Sequence, residues 1–554
     1  MGLCSLLNLF FTVSSCAQPI SVNTIQTKYG EINGLDISLG RTLIKAYEGI
    51  PYAQPINSST RFQKSEMVLP WDNVLEANTR KPTCYERLLS DGIYSEDCLY
   101  LDIYTPPEID NSTLLPVVVY LSNELDNTGM NDNTLAFRIV PQNIILVAVQ
   151  YRKGPFGFLH VPELDLPSNV GLWDSNLALL FLQDVLSAFG GDPNRITLMG
   201  QGLAATLTSA HAVSPQSSHL ISQTIQMSGS IWGIGTSQIA TKANSRELIT
   251  SLNCPIVDDQ EFLECLRNLT VEEILSETGN MTFGPIIDEE FLPAYPQILV
   301  EEAKPIPSLI TVTTYGYQSR ELFAASPSFF YDFNKENLID YVRDQISPKY
   351  ENEFPRAEKE IFKQYIPFKN MTSTQLLSQF VKLIEDISSF VPTARELEHR
   401  TKRSAECFLM FWDYSSPNQF PSNFSLKGSY YGQELAYLSD YFAFSPFNFS
   451  EDDLTVRRLF VDSLTHFIRT GDPSTADFKW SSYNGNQTYL KMKPNPEIDE
   501  DLFETSLSFW NHMSKFGKDI ISGTNTDVEN MESSASNFYC SLAFLIFLNI
   551  LFFH

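Results

Sequence analysis

The cysteines are the residues whose type and spacing point most directly to chemistry, and that chemistry is disulfide formation. Of eight cysteines, two couples lie close together in the sequence, Cys84 with Cys98 and Cys254 with Cys265. In an oxidising compartment each couple can close a short loop, and such a bridge stabilises a fold by about 2–4 kcal/mol. Cys407 lies in the apolar run 406–412, which favours a buried, inert thiol. Cys4, Cys16 and Cys540 lie in terminal segments that we expect to be removed, so five cysteines remain and we expect two short-range disulfides and one free thiol.

The N-terminal residues 1–17 indicate entry into such a compartment. An apolar run through Val13 is followed by the small residues Ser14, Ser15, Cys16 and Ala17, which is typical of a signal peptide. We expect cleavage after Ala17, although the segment lacks the usual Lys or Arg near its start. A buried N-terminal strand is the alternative.

The C-terminal residues 538–554 predict attachment to a lipid. Apart from Ser541 and Asn549 the run is apolar through Phe553, and no Lys or Arg follows it. A spanning helix needs about 20 residues and a basic flank, so a membrane helix is the less favoured alternative. The small residues 522–525 and a polar linker over 519–537 precede the run, which is the layout of a glycosylphosphatidylinositol (GPI) signal. The tail would be removed, and a GPI anchor would hold the protein on the outer leaflet of the cell membrane; a secreted form is the other localisation that fits.

Eight Asn-x-Ser/Thr sequons fit a secretory route, because each predicts a surface loop or turn that can carry a glycan. Their asparagines are Asn57, Asn111, Asn268, Asn280, Asn370, Asn423, Asn448 and Asn486.

Composition and charge exclude several classes of function. Apolar residues make up 43% of the chain and aromatic residues 12%, as in ordinary globular proteins. The net charge of −28 is dispersed along the chain, which disfavours nucleic acid and anionic lipid as partners. The sequence contains no P-loop, dinucleotide fingerprint, EF-hand loop or Cys/His cluster above chance, so we expect no cofactor and no metal site.

The elements that must position these residues indicate an α/β protein. Apolar, β-rich runs at 116–121, 144–151 and 196–199 predict strands that are covered on both faces. Residues 177–189 predict an amphipathic helix, which Gly190 and Gly191 end. Because no linker or repeat interrupts the chain, we expect a single large domain over 18–518.

Ordered sequence blocks along the mature chain are similar to those of type-B carboxylesterases and cholinesterases. Residues 95–106 resemble the family block SEDCLYLNVYTP. Further blocks match before and after it, in the same order as in the family, at 49–53, 61–62, 169–172, 189–193, 196–198, 227–230, 470–473 and 509–510. The resemblance implies an α/β-hydrolase fold, with a large, mostly parallel central sheet flanked by helices in one domain.

In that fold a Gly-x-Ser-x-Gly elbow holds the nucleophile between a strand and a helix. The matching segment here, residues 200–204, reads Gly-Gln-Gly-Leu-Ala, so Gly202 takes the nucleophile's position without an attacking oxygen. The family's HGxEL block aligns with residues 431–435, which places Tyr431 at the position of the histidine. A tyrosine near its ordinary pKa of about 10 cannot act as a base at neutral pH.

The two other parts of the family's catalytic site also differ. After the strand at 115–121 the oxyanion-hole segment reads Ser122-Asn123-Glu124, so both family glycines are missing. A carboxylate at Glu124 would oppose a developing negative charge. The acidic triad position aligns with Gly316, although a gap would let Glu321 replace it.

Ligand recognition and the remaining family features are altered as well. The loop between the first cysteine couple lacks the tryptophan that binds quaternary ammonium in cholinesterases, and Tyr85 and Tyr94 are weak substitutes. Val391 and Leu507 stand where the family has its third disulfide. His211, in the helix after the elbow, is expected to have a structural role.

Catalytically silent relatives of the family, such as neuroligins, neurotactin and gliotactin, act as adhesion or receptor proteins. The resemblance therefore implies a catalytically inactive cell-surface protein that acts by extracellular recognition or adhesion. Its expected partner is an extracellular or cell-surface protein, and the four-helix interface of the family is compatible with a homodimer. Two alternatives stay open: a binding protein for a small lipophilic or cationic ligand in the vestigial gorge, and a carboxylic ester hydrolase with a relocated nucleophile.

Overall fold

The computed structural model describes residues 23–86, 93–109, 113–122, 132–256, 258–315, 333–420, 426–440, 447–476 and 478–525. The strands of these residues are β1 (Asn23–Gln26), β2 (Glu31–Leu39), β3 (Thr42–Pro51), β4 (Leu75–Glu76), β5 (Thr83–Cys84), β6 (Tyr94–Ser95), β7 (Tyr100–Thr105), β8 (Leu115–Leu121), β9 (Ile145–Val149), β10 (Gly191–Gln201), β11 (Gln223–Met227), β12 (Ser308–Thr313), β13 (Cys407–Trp412), β14 (Tyr489–Met492), β15 (Glu497–Asp499), β16 (Lys518–Asp519) and β17 (Thr524–Asn525).

The α-helices of the same residues all follow β8 in the sequence. They are α1 (Asp132–Ile139), α2 (Gly154–Phe158), α3 (Val170–Val185), α4 (Leu203–Val213), α5 (Ile234–Ser251), α6 (Asp259–Asn268), α7 (Val271–Thr278), α8 (Pro296–Glu302), α9 (Lys335–Tyr341), α10 (Phe354–Tyr365), α11 (Ser373–Glu385), α12 (Val391–Lys402), α13 (Gln433–Ser439), α14 (Glu451–Thr470) and α15 (Glu504–Met513).

One large sheet runs through the described part of the molecule. Its strand order is β1-β2-β3-β7-β9-β8-β10-β11-β12-β13-β14-β15, and β4 pairs with β2 beside this path. The strands from β9 through β8 to β14 are parallel, whereas the first strands and the last pair, β14 with β15, are antiparallel. The predicted α/β architecture with a mostly parallel central sheet is confirmed.

Alternating side chains of β8 show how helices cover both faces of the sheet. Val117, Val119 and Leu121 belong to one buried core, together with side chains of α3 and α4. Val118 and Tyr120 belong to a second core, together with side chains of α1 and α14. Successive side chains of a strand point to opposite faces, so a strand that is apolar at every position has to be covered on both sides.

The helix predicted at 177–189 begins earlier than expected. Helix α3 runs from Val170 to Val185, and a 3-10 turn over Leu186–Phe189 follows it. Gly190, with φ 79°, ends the turn as predicted. The helix is buried along most of its length, and its apolar side chains share one core with side chains of the sheet and of α4, so it lacks the exposed polar face of an amphipathic helix.

Both predicted disulfides, Cys84–Cys98 and Cys254–Cys265, are formed. Cys407 is a buried free thiol in β13, and burial raises its pKa to about 12, so it is inert at neutral pH. Val391 and Leu507, at the positions of the family's third disulfide, both lie in one apolar core. The pair is therefore replaced by apolar packing.

The folded domain extends past the predicted boundary at residue 518, so the assignment of 519–525 to a polar linker is wrong. Strand β16 pairs with β17, and Asp519 forms an ion pair with Arg395, with 2.7 Å between Oδ2 and Nη1. A Cβ on Gly235 would lie 2.0 Å from the amide nitrogen of Gly523, which shows how closely this hairpin packs on α5. Ser522 and Thr524, two of the small residues expected near the anchor, are consequently buried.

Six of the sequon asparagines fall within the described residues, and all six are exposed: Asn57, Asn268, Asn280, Asn370, Asn448 and Asn486. Asn111 and Asn423 lie outside the described residues, as do the predicted signal peptide (1–17) and the C-terminal tail from residue 526. Among the helices described, none combines the length and the apolar character needed to cross a membrane.

Candidate functional site

The turn between β10 and α4 has the geometry of an elbow but carries no side chain at its apex. Gly202 has φ 62° and ψ −120°, a conformation that residues with a side chain adopt only under strain. Its amide donates to the carbonyl of Met227, at 2.8 Å, in the neighbouring strand β11. The turn is thus held by the sheet, and glycine adopts it without strain.

The ring of Tyr431 fills the space above that apex. The Tyr431 amide donates to the carbonyl of Tyr315 at 3.0 Å, and Tyr430 forms a β-bridge with Tyr315, so the end of β12 positions this segment. A Cβ added to Gly202 would lie 1.7 Å from the Tyr431 hydroxyl and 2.6 Å from Cζ. The structure therefore brings together the two positions that the sequence aligns with nucleophile and base, but places a tyrosine hydroxyl where the nucleophile's side chain would begin.

The other predicted positions, Gly316, Glu321, Asn123 and Glu124, lie outside the described residues. The chain is described up to Tyr315 on one side and Ser122 on the other. Ser122 is buried, and its amide donates to the carbonyl of Val149 at 3.0 Å. Pairing with β9 therefore continues one residue past β8, to the first residue of the oxyanion-hole segment.

A cavity of about 290 Å³ opens beside Gly202 and Tyr431. Its lining is rich in hydroxyl groups from α4, α5 and α7 and in backbone of Gly229, Gly233 and Gly284, with few aromatic rings. The predicted substitutes for the ammonium-binding tryptophan, Tyr85 and Tyr94, stack on each other with ring centroids 5.8 Å apart. Neither belongs to the lining of this cavity.

The cavity wall contains a buried lysine that was not among the predicted site residues. Lys153 follows strand β9, has only 1% of its surface exposed, and lies with Nζ 5.5 Å from the centre of the Tyr151 ring. Next to it, Arg152 holds the buried carboxylate of Asp174 through two hydrogen bonds of 2.7 and 2.6 Å. The signal was present in the sequence, because charged residues directly after a buried strand lie at a sheet edge, where α/β proteins bind ligands.

A second buried charged group, Glu434, lies behind Tyr431. Its Oε1 accepts a hydrogen bond from Thr311 at 2.7 Å, and Ser228, which lines the cavity, donates to it at 3.5 Å. Burial raises the pKa of this carboxyl. The residue lies within the aligned 431–435 block, but a sequence pattern does not reveal that a carboxyl is fully enclosed.

Two Ser–His contacts occur away from this cavity. Ser175 Oγ lies 2.8 Å from His211 Nε2 in a fully buried position, and Ser168 Oγ lies 2.9 Å from His160 Nδ1. Burial lowers the pKa of His211 to about 3 and that of His160 to about 4, which makes both imidazoles weak bases. None of these four residues lines the cavity, so the expected structural role of His211 agrees with its packing.

Comparison with known proteins points to one family over nearly the whole chain. The model of the carboxylesterase family matches residues 21–510. Gut esterase 1 of Caenorhabditis briggsae is 26% identical over 540 residues, covering 88% of this chain and 92% of its own. Acetylcholinesterase of Bungarus fasciatus is 25% identical over 91% of this chain and 89% of its own, and acylcarnitine hydrolase of Mus musculus is 26% identical over 92% and 94%.

Proposed function

The chain belongs to the carboxylesterase family, and we propose that it is a catalytically inactive member that acts at the cell surface by extracellular recognition or adhesion. The observation that carries the proposal is the pairing of Gly202 with Tyr431. One residue has no side chain, and the other fills the space that a nucleophile would need.

The chemistry of ester hydrolysis supports inactivity. Acyl transfer needs a nucleophile, a base that deprotonates it, a group that orients the base, and donors for the oxyanion. At the aligned positions this chain has Gly202, Tyr431, Gly316 and the pair Asn123 and Glu124. Several similar proteins are named as esterases, but activity depends on these residues and not on the fold that carries them.

A relocated nucleophile is less well supported. The cavity-lining serines Ser228 and Ser230 both donate to buried carboxylates, Ser228 to Glu434 and Ser230 to Glu396 at 2.6 Å. No histidine belongs to the described lining of the cavity. A serine hydroxyl without a base is a poor nucleophile at neutral pH.

The direct test is hydrolysis by the purified wild-type glycoprotein. We expect no turnover of p-nitrophenyl acetate or thiocholine esters above background, and no labelling by an organophosphate. The variants Gly202→Ser and Gly202→Ser/Tyr431→His extend the test. Both should hydrolyse these esters at a low rate, because Asn123 and Glu124 still occupy the oxyanion-hole segment. Robust wild-type turnover, with an organophosphate mapped to a serine, would establish a hydrolase instead.

We further propose that a GPI anchor holds the protein to the outer leaflet. Because Ser522 and Thr524 are buried in the hairpin of β16 and β17, attachment is expected at Asn525 or later. Phosphatidylinositol-specific phospholipase C should release the protein from cells. Retention on the membrane together with a detectable His554 would refute the anchor.

The proposed partner is an extracellular or cell-surface protein, and the proposed assembly is a homodimer. Phe354 at the start of α10 and Phe368 just after it are 47% and 72% exposed, and the proposal places these two rings in the interface. Light scattering on the purified protein tests the dimer: a monomer at micromolar concentration would contradict it. A screen against cell-surface ectodomains tests for the partner, and failure to recover any specific binder would count against recognition as the function.

A further inference from the structure

Five hydroxyl groups that line the cavity beside Gly202 donate their protons to backbone carbonyls of the protein. Thr236 donates to the Gly233 carbonyl at 2.9 Å and Thr278 to the Ile274 carbonyl at 3.0 Å. Three further lining hydroxyls do the same: Thr206 to Gly202 at 3.3 Å, Ser237 to Pro285 at 3.2 Å and Ser388 to Ile384 at 2.5 Å.

A hydroxyl has one proton and two lone pairs, so a group that donates to the backbone can still accept. None of these five oxygens accepts a hydrogen bond from the residues that the structure describes. The wall of the cavity therefore presents acceptors to whatever occupies it. A ligand that satisfies them has to carry several O–H or N–H donors.

The charged and aromatic residues of the cavity wall limit the kind of ligand that can bind there. The wall contains one basic and one acidic residue, Lys153 and Glu86, so its net charge favours neither a cation nor an anion, and an anion would also face the lone pairs of the five hydroxyls. Phe283, Tyr151 and Tyr431 add aromatic surface, which suits the apolar C–H face of a ring. A volume of about 290 Å³ is at the lower end for ligand pockets and suits one small molecule.

We propose that this cavity binds a neutral saccharide unit, whose hydroxyls donate to the wall while its C–H face packs on the rings. The proposal rests on the proposed function in one respect: a protein without hydrolase activity binds the sugar and leaves it unchanged. It replaces the lipophilic or cationic ligand predicted for the gorge, because the wall combines hydroxyl groups with one residue of each charge sign. The saccharide is either a free sugar or the terminal unit of a glycan on a partner.

The test uses the full-length glycoprotein after endoglycosidase treatment, so that its own glycans do not compete. Saturation-transfer NMR and calorimetry with the methyl glycosides of glucose, galactose, mannose, fucose and N-acetylglucosamine test the free sugar. An array of immobilised glycans tests the terminal unit. We expect saturable binding of at least one methyl glycoside with a dissociation constant in the millimolar range or lower. Binding to the array is expected only if the natural ligand is the terminal unit of a glycan.

The isosteric variant Thr236→Val/Thr278→Val removes two acceptors while keeping the shape of the wall. Since an ordinary hydrogen bond changes affinity about two- to tenfold, the double variant should bind the glycoside roughly four- to a hundredfold more weakly. Thr250→Val is the matched control, because Thr250 makes the same bond to a helix carbonyl on α5, with 2.7 Å to Arg246, outside the cavity. If the double variant fails to fold, Ser388→Ala replaces it.

Absence of saturable binding for every glycoside and every glycan would overturn the proposal. So would a glycoside that binds the double variant and wild type equally well, because its site would then lie elsewhere. Neither result concerns ester hydrolysis, which the turnover assay measures separately.

Discussion

The substitution Gly202→Ala examines directly whether Tyr431 occupies the position of the missing nucleophile. It adds one carbon at the apex of the elbow, where that atom would lie 1.7 Å from the Tyr431 hydroxyl. Two costs follow: backbone strain, because φ is 62°, and a steric clash with the tyrosine ring.

Gly279 allows these two costs to be separated. It has nearly the same backbone conformation, with φ 51° and ψ −121°, but a Cβ there meets nothing within 4 Å. Gly279→Ala should therefore cost only the strain, about 1–3 kcal/mol in the free energy of unfolding. Gly202→Ala should cost about 1–3 kcal/mol more, because forcing an extra carbon into a packed site displaces its neighbours.

Denaturant unfolding followed by tryptophan fluorescence measures both variants under the same conditions. A double-mutant cycle with Tyr431→Ala adds a second measurement, since removing the ring should relieve the clash but leave the strain. The substitution at residue 202 should then cost about as much as the one at residue 279. Equal costs of Gly202→Ala and Gly279→Ala in the wild-type background, or an additive cycle, would refute the reasoning that the tyrosine fills the nucleophile's space.

Three further predictions concern buried titratable groups. Burial lowers the pKa of His211 to about 3, below its unfolded value near 6.5. His211 should therefore contribute a decline of about 1.4 kcal/mol per pH unit to the free energy of unfolding as the pH falls from 6 to 4; in acid denaturant titrations His211→Gln should remove this contribution and leave that of His160, whereas exposed His219→Gln should leave both. Burial raises the pKa of Glu434, so its stabilising contribution is present at low pH and lost as the pH rises through the folded-state value. Glu434→Gln should narrow the stability difference between pH 5 and pH 8, and an unchanged difference would contradict the assignment. Thiol mapping of the denatured mature protein should find Cys407 free and two short-range bridges, and a bridge to Cys407 would disprove this pairing.

Much of the fold and part of the site could be predicted from the sequence alone. The apolar runs at 116–121 and 196–199 become strands β8 and β10, because a run that is apolar at every position is stable only when both faces are covered. The short cysteine spacings yield the two bridges found. The missing nucleophile is also evident from sequence, since Gly202 has no side chain in any conformation.

Other features depend on contacts between distant parts of the chain. Tyr431 fills the elbow only because β12 and its β-bridge bring residue 430 to the end of the sheet. The burial of Lys153 and Glu434 follows from packing around the cavity, and their residue types predict the opposite, since charged groups are usually exposed. The domain extends beyond 518 for the same reason: Ile520 and Ile521 are buried in an apolar core, and Gly523 lies against α5, which is far away in the sequence. Local sequence patterns thus determine which strands and helices form and which catalytic groups are missing. Which residues are buried, including charged ones, and which side chain fills a given space are decided by the tertiary structure.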